Sequence, residues 1–313
     1  MDAPGVDAAS RRRITRAFGA AGEAWLETLP ALLAAAAQRW HLTLGAPLGP
    51  LSYNYVTAAT RSDGSRVVLK AGVPGTELHF EIDALRHFDG RGSVRLLDAD
   101  DAAGVFLIER LEPGTPIVEI DDAAGTRIAA GIMRRLWRPP PQDHGMPTLA
   151  DWGRAFAELR ARHGGGSGPL PPPLFDRAEA LYDELVATQQ DAVVLHGDLH
   201  HWNILGAGRE PWLAIDPHGV VGEPAFEVGP WMRNPVGDPG DADEAVFLMN
   251  QPDPRRIIER RLDIFAEELA LPRDRLRDWS LAFAILSACW SDESGHAAGW
   301  QQAVAVAEIL TGV

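Results

Sequence analysis

The chain is 313 residues long, enough to bury a sizeable core and to divide into two lobes, since single cores stop growing at roughly 250–300 residues. Hydrophobic residues make up 46% and charged residues 23%, the proportions of a soluble globular protein. With 29 basic and 44 acidic residues the net charge is −15, which argues against nucleic acid or an anionic membrane as partner and favours a cationic ligand.

The single cysteine, Cys289, rules out an internal disulfide and zinc sites of the Cys₄ or Cys₂His₂ type. Residues 1–4 lack the basic segment and apolar run of a signal peptide. The longest apolar run, residues 31–37, is far short of the ~20 needed to span a bilayer. The expectation is a cytoplasmic protein that does not engage a membrane.

Residues 1–40 read as helical, with Trp25, Leu29, Leu32, Ala36 and Trp40 at spacings of three and four and Pro30 at the first turn of a second helix. The period then changes. Residues 52–58 and 66–70 read as two strands around a turn at residues 62–65. The second ends in Val67-Val68-Leu69-Lys70, the shape of the kinase strand whose lysine holds the nucleotide α- and β-phosphates. Residues 76–86 form a helix with Glu77 and Glu81 on one face. Glu81 is the expected partner of Lys70, with Glu77 as alternate; solvated surface charges are the plainer reading of both.

Residues 94–98 and 105–109 make another hairpin, and Pro113-Gly114 just beyond is a breaker where a lobe boundary fits. Backbone groups from Glu109 to Leu111 would there meet an adenine edge. A glycine-rich G-x-G-x-x-G loop is missing, leaving Gly45, Gly49 and residues 52–55 to cover phosphates. From Asp122 onward helices dominate: residues 126–137, 149–163, 174–189, 254–269, 273–293 and 299–311. Residues 164–173, rich in Gly and then Pro, are the expected disordered loop.

The most informative stretch is residues 193–216. Two short apolar strands flank the polar loop His196-Gly197-Asp198-Leu199-His200-His201-Trp202-Asn203, and Asp216 ends the strand that follows. This is the layout of a kinase catalytic loop. Phosphoryl transfer needs a base for the attacking hydroxyl and oxygen ligands for Mg²⁺. Asp198 is the expected base, and Asn203 and Asp216 the expected metal ligands. Asp and Asn in ordinary turns are the bland alternative. A sharper rival is a zinc or di-metal hydrolase, because His196, Asp198 and His200 alternate and would share one face of a strand. Asp216-Pro217-His218-Gly219 stands where a protein kinase has Asp-Phe-Gly.

The Leu195-to-Leu205 run, followed by Glu210-Pro211-Trp212-Leu213-Ala214-Ile215-Asp216-Pro217, resembles the aminoglycoside phosphotransferase family, most closely its streptomycin and hydroxyurea branch. The resemblance covers most of the chain. It implies an α+β, two-lobed protein-kinase-like fold with an antiparallel-sheet N-lobe, an N-terminal helical extension and a mainly helical C-lobe. The lobes would be residues 1–112 and 113–313, with ATP between them and a small hydroxylated antibiotic bound by the second. It further implies Asp198 as base, Asn203 and Asp216 on Mg²⁺, and Lys70 on the phosphates. Relatives commonly carry Asp where Glu223 and Glu227 stand here.

The expected activity is ATP- and Mg²⁺-dependent phosphorylation of an aminoglycoside such as streptomycin. Hydroxyurea or a sugar is the alternative acceptor, and a nucleotide-binding pseudokinase the alternative class. A cationic acceptor calls for carboxylates in its pocket. Asp292 and Glu293, beside Trp290, are the candidates, with Asp121 and Asp122 as further ones.

Overall fold

The computed structural model describes residues 5–49, 53–237 and 244–313. The chain divides into two compact units, Met1–Glu112 and Pro113–Val313.

The first unit opens with α1 (Ala8–Arg39), capped by Asp7, whose side chain accepts from the Ser10 N–H at 2.7 Å. Pro30 does not start a second helix as the sequence suggests; the helix runs through it and breaks its geometry at Gly19 instead (φ 56°, ψ −137°). A proline inside a helix loses one backbone bond. Here Trp25, Leu26, Leu29 and Leu33 are buried on both sides of it and share a core cluster with Tyr55, Leu69 and Leu107, so packing holds the helix together. Leu33 is buried in that cluster, and Leu32, partly buried, packs against it.

The sheet follows: β1 (Leu42–Pro47), β2 (Asn54–Arg61), β3 (Arg66–Gly72), then α2 (Thr76–Phe88), β4 (Leu96–Asp100) and β5 (Val105–Glu109). The strands lie in the order β1-β2-β3-β5-β4, each pair antiparallel. β1 was not expected from its composition. Gly45, one of the residues considered for covering phosphates, lies within β1. Of the 52–55 segment also considered, Ser52 lies outside the described residues. β3 is central and buried along all but its first residue, which places Lys70 in an apolar setting.

The second unit begins with a 3₁₀ turn (Ile117–Glu119) and runs through α3 (Asp122–Leu136), α4 (Leu149–Arg162) and α5 (Pro172–Ala187). Four three-residue strands follow, β6 (Val193–Leu195), β7 (Ile204–Gly206), β8 (Trp212–Ala214) and β9 (Val220–Gly222), with β6 paired to β9 and β7 to β8. Then come α6 (Val228–Arg233), α7 (Pro254–Leu269), α8 (Arg273–Glu293) and α9 (Ala297–Leu310). The run from Trp279 to Cys289 in α8 is buried throughout, as expected of a helix at the centre of a bundle.

The Gly- and Pro-rich stretch after α4 is ordered, contrary to expectation. The Gly165 N–H bonds the Arg160 carbonyl at 2.8 Å, the Ser167 hydroxyl donates to the Leu170 carbonyl at 2.8 Å, and Leu170 is buried. Glycines at positive φ (Gly164, Gly165, Gly168) make a tight turn here rather than a flexible linker, and Pro172 and Pro173 start α5. No described helix is long and apolar enough to cross a membrane.

Candidate active site

In the first unit, Lys70 and Glu81 form a buried pair: Nζ donates to Oε1 at 2.7 Å, with side chains 3% and 8% exposed. The Lys70 Nζ lies over the Phe106 ring, 5.9 Å from its centroid. Glu77 is exposed, so burial separates the two glutamates that the helical period placed together. The Glu109 N–H donates to the Arg95 carbonyl, and its Oε1 accepts from the Arg95 N–H, both at 3.0 Å. The Glu109 carboxylate is thereby committed to the sheet edge, leaving main-chain groups as what this segment can offer a base. Leu111 is buried.

In the second unit, the loop of residues 196–203 is anchored by Glu227, which is fully buried. Its carboxylate accepts from the backbone N–H groups of His196 (2.7 Å) and Gly197 (2.9 Å). Burial pushes its pKa up to about 7 against the opposing pull of those two bonds. His196 is a second anchor. Its Nε2 lies 2.8 Å from the Ile215 carbonyl, its Nδ1 accepts from the Asp198 N–H at 3.3 Å, and its carbonyl accepts from the His218 N–H at 2.8 Å. This pattern makes Nε2 the protonated nitrogen, and burial lowers the ring's pKa to about 4.

Asp198 follows the left-handed Gly197 (φ 84°). Its side chain is 28% exposed, with Oδ2 3.3 Å from His200 Nε2 and 3.9 Å from His218 Nε2. Partial burial alone would raise its pKa, but the fields of His200, His218 and Arg233 outweigh it and hold the carboxyl well below the usual range. Asn203 Nδ2 donates to the Asp198 carbonyl (2.9 Å) and reaches its Oδ2 (3.4 Å), so Oδ1 is the atom left to accept. The Ile215 N–H bonds the Asn203 carbonyl at 2.9 Å, which seats the end of β8, and Asp216 with it, beside the loop. Asp216 has φ 58°, uncommon for a residue with a Cβ.

The result is a pair of oxygen donors, an Asn amide and an Asp carboxylate, beside an ionised Asp. Oxygen ligands with room for water suit Mg²⁺. The transition-metal rival fails on geometry: residues 196–203 form a loop, so period-two alternation does not apply. Among the described residues, the one group of three His, Cys, Asp or Glu side chains close enough to share a transition metal is His79, Asp83 and Asp101, away from this loop, and Arg86 already bonds both of those carboxylates. His201 is structural, stacked on Trp231 at 3.8 Å with Nε2 3.1 Å from Arg261.

Residues 39–295 match the family model described as aminoglycoside/hydroxyurea antibiotic resistance kinase. The chain belongs to this family. It is 35% identical over 299 residues to streptomycin 6-kinase of Streptomyces glaucescens, covering 95% of this chain and 94% of that one. It is also 35% identical over 306 residues to hydroxyurea phosphotransferase of Kitasatospora aureofaciens, covering 94% and 82%. The solved ternary complex of aminoglycoside phosphotransferase APH(4)-Ia with ADP and hygromycin B matches with a TM-score of 0.59 at 13% identity, over 90% of this chain and 99% of that one. This likeness shows the two-lobed protein-kinase-like fold. The chain is thus a small-molecule phosphotransferase, and its relatives carry the names streptomycin 6-kinase and hydroxyurea phosphotransferase.

The carboxylates expected to receive a cationic acceptor in this kinase have other partners or lie open to solvent. Asp121 caps α3, accepting from the Ala124 N–H at 3.0 Å. Asp122 is bonded by Arg260 and Arg261. Asp292 lies 2.9 Å from His163 Nε2 and 3.5 Å from Arg162, and Glu293 is exposed. Sequence reasoning left the role of Glu227 open and missed Trp152, whose ring edge would lie 2.7 Å from a Cβ on Gly197. The apolar residues around Glu227 in the 223–228 run were the one signal that its side chain turns inward.

Proposed function

We propose that this kinase transfers the γ-phosphoryl group of ATP to a hydroxyl of an aminoglycoside of the streptomycin class, with Mg²⁺ as cofactor. The observation that carries the reading is the joined arrangement of Asp198, Asn203 and Asp216, tied by the Asn203–Asp198 and Ile215–Asn203 bonds. Its relatives named as streptomycin 6-kinase and hydroxyurea phosphotransferase support the acceptor class, and a neighbour of the same fold solved with ADP supports the nucleotide.

In this reading Asn203 Oδ1 and the Asp216 carboxylate hold Mg²⁺, which when bound neutralises charge on the phosphates. Lys70, oriented by Glu81, neutralises further phosphate charge, and main-chain groups from Glu109 to Leu111 meet the adenine edge. Asp198 accepts a hydrogen bond from the acceptor hydroxyl, aligning that oxygen with the γ-phosphorus. The new O–P bond forms as the bond to the β-phosphate oxygen breaks. ADP leaves with the electron pair, and the hydroxyl proton passes to Asp198. A strongly acidic Asp is a weak base toward a neutral alcohol. In a loose transition state that proton moves late, so alignment is the larger part of its contribution.

Asp198→Ala is expected to retain ATP binding while kcat falls by roughly 10²–10⁴-fold, measured by calorimetry and steady-state turnover. Unchanged turnover would remove Asp198 from the mechanism. Because the hydroxyurea phosphotransferase is as similar to the chain as the streptomycin kinase, hydroxyurea is the second acceptor to assay in parallel.

A further inference from the structure

The search for what holds the acceptor starts from a deficit. Of the four carboxylates expected to suit a cation, Asp122 and Asp292 are tied to arginines and a histidine, Asp121 caps a helix and Glu293 is exposed. None is committed to a pocket beside Asp198, and a different chemistry of recognition is worth locating there. The candidate is aromatic. The first turn of α4 is pinned by a capping box between Thr148 and Asp151, and the Thr148 segment bridges β9 at Val221. That placement lays Trp152 against the 196–203 loop, where its edge blocks any side chain at Gly197.

Trp152 meets three rings edge-on: His218 at 6.2 Å, Phe226 at 5.8 Å and Trp290 at 5.3 Å. Phe226 is fully buried, but Trp152 and Trp290 remain half-buried. The His218 side chain is 58% exposed while standing 3.9 Å from Asp198. The fully buried Trp231 and Trp279 donate their indole N–H groups to Thr126 and Glu223. Trp152 and Trp290 have no such acceptor among the described residues, and their indole nitrogens are not among the buried unsatisfied atoms. Two solvent-facing indoles with free donors, continuous through His218 with the base, form more than core packing requires.

Resting on the phosphotransferase reading above, we propose that Trp152 and Trp290 form the acceptor platform of this enzyme. The platform selects a ring-bearing, guanidinium- or ammonium-carrying acceptor over a small planar one such as hydroxyurea. Indole faces take the C–H surface of a sugar or cyclitol ring and attract a cation without a formal negative charge, while the N–H groups are placed to donate to ring hydroxyls.

The test uses the full-length enzyme with streptomycin, hydroxyurea and MgATP. Trp152→Leu is expected to raise the streptomycin KM about tenfold with the ATP KM within twofold of the parent, and Trp152→Phe to restore most of the loss. A folded Trp152→Leu variant with an unchanged streptomycin KM overturns the proposal. Should that variant fail to fold, the parent labelled with 5-fluorotryptophan replaces it. Resonances assigned through Trp152→Phe and Trp290→Phe must shift on adding streptomycin without nucleotide, and unmoved resonances overturn the proposal equally. A parent enzyme that phosphorylates neither acceptor sinks the function reading itself, while one that phosphorylates hydroxyurea alone sinks the selectivity proposed here.

Discussion

Glu77 and Glu81 are indistinguishable by helical period, and only burial separates them. Glu81→Ala removes the partner of an ammonium that is 3% exposed, and breaking a buried pair costs about 3–5 kcal/mol. The expected outcome in thermal melts is a large drop for Glu81→Ala and no measurable change for Glu77→Ala. Lys70 was legible as a residue because three apolar positions precede it. Its partner was legible only as one of two, since the sequence does not say which face of α2 turns inward. The carboxylates expected to face the acceptor show the converse: Asp121 and Asp122 follow the breaker where the sequence suggested a cationic pocket, yet capping and arginine bonding consume them. Acidic residues are too common in this chain for position alone to mark a site.

At the scale of elements, the hairpins were legible from turn chemistry and strand alternation, and the 196–203 loop from its Asp-Leu-x-x-x-Asn spacing between two short apolar strands. β1, with Gly45 and Pro47 in six residues, carries too weak a strand signal and is held by pairing to β2. The same limit explains the ordered turn after α4, where long-range burial of Leu170 outweighs a flexible composition. That loop depends on Glu227 as its anchor. Glu227→Ala leaves the His196 and Gly197 N–H groups without their acceptor, and each such loss costs about 1–3 kcal/mol; a lower melting temperature and reduced kcat are expected together. Its titration has a definite sign. Because folding raises this pKa from 4.5 to about 7, the folded protein holds a proton there that the unfolded chain releases between those values. The resulting stabilisation is complete below pH 4.5 and is lost as pH rises through 7. Stability of the parent relative to Glu227→Gln is expected to decline over that window in denaturant titrations.

For the whole molecule, sensitivity to acid follows from histidines kept neutral by burial. Burial lowers His196 to about 4 and His201 to about 3, from a reference value of 6.5. The unfolded chain therefore binds more protons below pH 6.5, so the stability these groups confer is present above that value and lost as pH falls toward 4. The melting temperature of the parent is expected to fall across this range, and His201→Asn to flatten the fall. A shallower profile in the parent than in the variant would contradict the assignment. The change from strand to helical period after residue 112 was legible in the sequence, but the two-lobed kinase-like fold was legible only through the resemblance carried by the Leu195-to-Leu205 run and the Glu210-to-Pro217 run. Trp152 was not, because its exposure depends on how α4 meets β9, a contact between segments about seventy residues apart.

The most direct measurement is transfer of label from γ-labelled ATP to streptomycin by the parent enzyme, with and without Mg²⁺, followed by mass analysis of the product. The expected result is streptomycin bearing one added phosphoryl group, formed only with Mg²⁺ and reduced by roughly 10²–10⁴-fold in Asp198→Ala. Label that never leaves the nucleotide for streptomycin, or transfer that proceeds equally well without the metal, would contradict it.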